Sequence, residues 1–156
     1  MPARRRQPGR PGHADQRAQD RGREHEGVDV SKPRWLDRRI ALPGPFLALA
    51  LSQDEFDSLL RHCGQQPGVP FVRNERSHAT THVLTSAKGL ACIVALRGWE
   101  TRSGIEIAGL LVHEAVHVWQ EYAAGMGEHT PGVEQEAYAI QSIAQELMAE
   151  FARRVV

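Results

Sequence analysis

The stretch GLLVHEAVHVWQEY, Gly109 to Tyr122, sets His113, Glu114 and His117 into an otherwise apolar run. Burying three titratable groups in a core helix costs free energy unless something satisfies them. On a helix, side chains four residues apart leave the same face one turn apart, so His113 and His117 can reach a single ion. Zinc takes imidazole nitrogen at ~2.0–2.1 Å in tetrahedral surroundings and suits such a pair. Glu114 turns to the edge of that face, where it can accept a proton from a metal-bound water instead of ligating. The plainer alternative is a solvent-facing polar stripe, Glu106–Gly109–His113–His117–Gln120. With 8 histidines in 156 residues, the H-E-x-x-H pattern arises by chance in only ~3% of shuffled chains.

A catalytic zinc also needs a third protein ligand and an open position. Candidates stand in PGVEQEAYAIQSIAQ, where Glu134 and Glu136 lie 17 and 19 residues beyond His117. The intervening loop is long enough for a last helix to fold back across the first. Acidic residues also favour a helix N-terminus for the macrodipole alone, which accounts for whichever of the two does not ligate.

On these residues the chain resembles gluzincin-type zinc metallopeptidases, in which H-E-x-x-H is followed by a glutamate on a second helix. That glutamate commonly sits in E-x-x-A-D; here EQEAY matches E-x-x-A with Tyr138 at the Asp position. The resemblance therefore implies Zn²⁺ held by His113, His117 and Glu134, with Glu136 as the alternate. In such families the Asp supports a ligating His from behind, a duty that would pass to Tyr138. Glu114 is implied as the general base, and Tyr122, His129 and Tyr138 are the local groups for oxyanion stabilisation, with His129 preferred. The strand that pairs with an extended peptide substrate is expected within LACIVALRG. The HVWQ continuation and small size also resemble compact zincins of phage, prophage and toxin-associated proteins. The likeness spans roughly residues 77–152 and speaks to the metal site more than to the substrate.

The elements that must position these groups can be read from the same chain. Its 19 basic and 19 acidic residues cancel, but not evenly. Residues 1–39 hold 11 Lys/Arg against 6 Asp/Glu, and residues 40–156 hold 8 against 13. Residues 1–30, rich in Arg, Gly, Pro and Gln, cannot bury enough apolar surface to offset their entropy and are expected to be a disordered basic tail. Residues 31–156 are expected to form one domain. Trp35 opens the apolar content, and Pro43 and Pro45 enforce an extended or turning path. SQDEFDSLLRHCG carries Ser52 as N-cap, Glu55 three residues on, Gly64 as C-cap, and Phe56, Leu59, Leu60 and Cys63 on one face.

VPFVRN, THVLTS and LACIVALRG read as two or three antiparallel strands, the hairpin from Thr80 to Arg97 being the firmest. Leu90 to Leu96 is apolar on both faces and expects cover on both. Helices follow over about Gly104 to Ala124 and Val133 to Arg154. The fold class is thus α+β: a short antiparallel sheet packed on the H-E-x-x-H helix and a C-terminal helix, a small zincin-like domain. His78 and His82, on one strand face, are more simply a polar pair than a second metal site. Cys63 and Cys92 lack C-x-x-C spacing and are expected to be free thiols.

These features bound the function. No run is long and apolar enough for a membrane helix, and MPARRRQPGR lacks a following apolar signal region, so a cytoplasmic location is expected. The acidic body argues against a nucleic-acid-binding core, leaving at most a weak contact through the basic tail. The reading is a zinc-dependent peptidase acting on a peptide or protein substrate. Its alternative is a catalytically silent zincin-fold module for binding or assembly, of phage or prophage origin.

Overall fold

The computed structural model describes Leu36 and residues 44–155; the basic tail falls outside these residues. Strand β1 (Phe46–Ala50) leads into helix α1 (Gln53–His62), followed by strands β2 (Ala79–Ser86) and β3 (Gly89–Leu96). Helices α2 (Gly104–Gly125) and α3 (Val133–Val155) complete the chain, with a 3₁₀ turn at Trp99–Thr101 before α2. The result is α+β with a three-stranded sheet in the order β1-β3-β2.

β3 takes the centre because Ala91 to Leu96 are apolar on both faces, and all six are buried. β2 pairs with it antiparallel in the expected hairpin, Ala79 opposite Leu96 and Ser86 opposite Gly89. Ala87 and Lys88 make the two-residue turn, closed by Lys88 N–H donating to Ser86 Oγ at 3.2 Å. Gly89 leaves the turn at φ +119°, a conformation that L side chains avoid.

Two expectations about the sheet are corrected. It is mixed, not wholly antiparallel: FLALA forms a strand running parallel to β3, with Phe46 opposite Ala91 and Ala50 opposite Ala95. VPFVRN is not a strand. Pro70 has no N–H to give a ladder, Phe71 N–H donates to Gln53 Oε1 (3.0 Å) and Arg73 N–H to Thr80 Oγ1 (3.1 Å). Side chains thus take the donors a sheet would need.

The sheet separates two apolar layers. On one face Ala48, Ala50 and Ile93 pack with Phe56, Leu59 and Leu60 of α1. On the other, Leu47, Leu49, Cys92, Val94 and Leu96 pack with Leu111, Val118 and Trp119 of α2 and Ile143 and Leu147 of α3. Each fully buried side chain of this kind contributes ~1.5–3 kcal/mol. α1 therefore lies behind the sheet, on the side away from the H-E-x-x-H helix.

Helix ends follow local chemistry. Ser52 Oγ accepts from Glu55 N–H, but the Glu55 carboxylate takes Leu51 N–H (2.9 Å) instead of completing a capping box. Gly64 (φ +74°) and Gln65 close α1 by donating to Arg61 and Leu60 carbonyls. The reciprocal box is found on α2: Glu106 N–H donates to Ser103 Oγ, and Ser103 N–H donates to Glu106 Oε2 (2.9 Å). The Ser103 hydroxyl also donates to Glu106 Oε2 (2.7 Å), and this bond, followed by the one from Ser103 N–H, holds the Glu106 carboxyl below the usual carboxylate range. Both cysteines are free, Cys92 buried in β3 and Cys63 half-buried after α1. No helix among the described residues is long and apolar enough to cross a membrane.

Candidate metal and catalytic site

Helical spacing divides the motif between two environments. Leu111, Glu114, Ala115 and Val118 turn inward, while His113, His117 and Gln120 are exposed. The three titratable groups are therefore not all buried, as the apolar frame had suggested; only Glu114 is, at 3% exposure. The two imidazoles meet edge to face at 81° with ring centroids 4.8 Å apart. Their Nε2 atoms approach to 3.1 Å. Two nitrogens on one tetrahedral zinc at ~2.0–2.1 Å lie ~3.3–3.4 Å apart, so the pair needs to open by only a few tenths of an ångström to share an ion.

Gln120 prepares that geometry. Its Oε1 lies 3.2 Å from His117 Nδ1, a contact that suits the Nδ1–H tautomer, the one whose Nε2 can ligate. Glu114 is held from the neighbouring strand, where the Thr81 hydroxyl donates to its Oε2 at 2.7 Å and lies 3.3 Å from its main-chain oxygen. His113, Glu114, His117 and Glu121 line a cleft of about 570 Å³, with β2 and the 69–77 segment forming the rest of its lining. Arg73 supplies a positive charge on that other wall.

The residues predicted on α3 and in the loop before it are not brought to this cleft. Glu134 is exposed and Glu136 half-buried in the first turn of α3, and no α3 residue lines the cleft. Glu136 continues the inward stripe Ala139–Ile143–Leu147, whereas Glu134 lies on the exposed side with Tyr138 (64% exposed). Among the described residues, no group of three His, Cys, Asp or Glu side chains comes together to hold a metal ion. His129 is exposed in the α2–α3 loop, and Tyr122 is buried beside Trp119. His82 packs on the Phe56 ring at 4.3 Å and bonds Phe71 O through Nε2 at 3.0 Å, so it belongs to the α1 side of the sheet.

The strand flanking the cleft is also reassigned. β3, expected as the substrate-pairing edge, is the central strand; the edge beside α2 is β2. The reason lies in composition: a run apolar on both faces gains most from the middle of a sheet, while Thr80, Thr81 and His82 tolerate partial exposure. Sequence reasoning missed Thr81 and Glu121. Glu121 was detectable, four residues beyond His117 on the same helical face, whereas Thr81 carried no local signal. Comparisons with family models, with curated proteins and with solved structures gave no match for this chain.

Proposed function

We propose that the chain is a zinc-dependent peptidase whose cleft lies between α2 and β2. The observation that carries this reading is the pair of Nε2 atoms 3.1 Å apart, beside a buried carboxylate that opens onto the same cleft. His113 and His117 would hold the ion; the α3 carboxylate that the resemblance implies, Glu134 or Glu136, does not line this cleft. Zinc in such a site supplies Lewis acidity toward water and a peptide carbonyl. Glu114 accepts the proton of the attacking water and returns it to the leaving amine. Gln120 keeps His117 in the ligating tautomer.

The test is to quantify zinc in the purified protein and compare hydrolysis of an unstructured protein by wild type and Glu114→Gln. Zinc retained by both, with cleavage lost only in Glu114→Gln, supports the peptidase. A second reading, a zincin-like binding or assembly module, is favoured by two observations. α1 packs on the far face of the sheet and no α1 residue lines the cleft, and no third donor joins the imidazoles among the described residues. Zinc bound by both proteins with no cleavage by either decides for that module.

A further inference from the structure

We infer that Thr81 is the positioning residue for the Glu114 carboxylate, so that the hairpin, and not α2 alone, sets the direction of the proton acceptor. This rests on the peptidase reading. Glu114 is the residue of the motif withdrawn from water, at 3% exposure, and a buried carboxylate is costly without a donor. Thr81 provides one from a chain position 33 residues away, at 2.7 Å. At that length the hydroxyl bond is short and directional, so the contact orients the carboxyl group as well as satisfying it.

The geometry divides the two carboxylate oxygens between two tasks. Oε2 accepts from the Thr81 hydroxyl, which leaves Oε1 as the oxygen with both of its acceptor sites for a proton. Without the hydroxyl, rotation about the last torsion is free to exchange the two oxygens. Thr81 itself is well held. It lies opposite Val94 in the β2–β3 ladder, within the hairpin closed at Ala87–Lys88. Its β-branched side chain has few rotamers to choose from, which suits a residue that must hold one direction. Its hydroxyl faces α2, while the flanking Thr80 and His82 side chains bind the 69–77 segment through Arg73 N–H and Phe71 O.

Thr81→Val removes the hydroxyl at nearly constant shape, and Thr81→Ser keeps it. With an unstructured protein as substrate, Thr81→Val should lower kcat by about ten-fold or more with KM within about two-fold, because orientation and not binding is lost. Thr81→Ser should recover most of kcat, and zinc content should be the same in all three proteins. A second readout is independent of turnover. Thr81→Val should lower Tm by several degrees in the wild-type background and by clearly less in Glu114→Leu, since the bonded partner is then gone. If Thr81→Val does not fold, Thr81→Ala is read in its place.

Unchanged kcat in Thr81→Val, equal losses in the Val and Ser variants, or equal Tm losses in both backgrounds would each overturn the inference. Absence of hydrolysis by the wild type overturns the peptidase reading, and the assigned role of Thr81 with it. Hydrolysis by the wild type with an indifferent Thr81→Val overturns the role alone.

Discussion

The two faces of the sheet are covered by helices of opposite chemical character. α1 meets its face with Phe56, Leu59 and Leu60 over Ala48, Ala50 and Ile93, and the titratable group packed there, His82, is spent on the Phe56 ring and a loop carbonyl. α2 covers the other face with an equally apolar inner stripe, yet holds Glu114 buried and His113 and His117 at its margin. The difference is one of position. Over the centre of the sheet a polar side chain would face β3, which is buried from Ala91 to Leu96 and offers it no side-chain donor. Beside the edge strand, Thr81 can supply a hydroxyl and the cleft gives access to solvent. The titratable groups of the candidate site therefore sit where a helix meets an edge strand, and the opposite layer is almost wholly apolar.

That contrast can be broken most forcefully from the silent side. Phe56→Ala removes the largest side chain of the α1 layer, where Phe56 is fully buried, and should cost ~3–5 kcal/mol. Chemical denaturation reads the loss; a change below 1 kcal/mol would show that α1 contributes little. On the reactive side, zinc at about 100 times its Kd should raise the wild-type stability by ~2.7 kcal/mol. Neither His113→Ala nor His117→Ala should show that gain, and a gain retained by both would place the ion elsewhere.

A smaller effect concerns the start of α2. Ser103→Ala removes the cap and should lower Tm by a few degrees near neutral pH. The Glu106 carboxyl is held below its unfolded value by Ser103. Its contribution is therefore full above the unfolded value and fades as pH falls through the folded one. The gap between Ser103→Ala and wild type should accordingly narrow in acid, and thermal melts across that range test it. The thiols give the finest comparison between the layers. Burial, aided by the charge of Glu121, pushes Cys92 up to about 12, and burial also raises Cys63. At mildly alkaline pH a thiol reagent should modify half-buried Cys63 first and reach Cys92 only on unfolding. As pH rises past the ordinary thiol range, the folded state keeps its Cys92 proton while the unfolded chain releases one, so stability should decline. Equal labelling rates would refute this.

Much of the architecture was legible because it follows from local patterns. The Thr80–Arg97 hairpin, the two long helices and the doubly covered Leu90–Leu96 run all depend on short-range periodicity and turn residues. The β1 strand was not, because FLALA is indistinguishable from an apolar extended segment until β3, more than forty residues later, supplies its parallel partner. VPFVRN misled in the opposite sense: its composition suits a strand, but Gln53 and Thr80 compete for its donors. For the site, His113 and His117 were readable from helical spacing alone. The hold on Glu114 was not, since it depends on a residue from another element. Nor does spacing along the chain say whether Glu134 or Glu136 turns inward; the buried stripe of α3 distinguishes them.

The parallel pairing of β1 with β3 has a kinetic consequence. The hairpin can close across a two-residue turn, but β1 must wait for a partner that is distant in the chain, and distant pairings carry the larger loop-closure entropy. The nucleus of folding should thus be the hairpin with α2 laid upon it, so that the candidate cleft takes shape before β1 is sewn along the far margin. Substitutions at Leu47 or Leu49 should chiefly hasten unfolding, while substitutions at Val94 or Leu111 should retard folding itself.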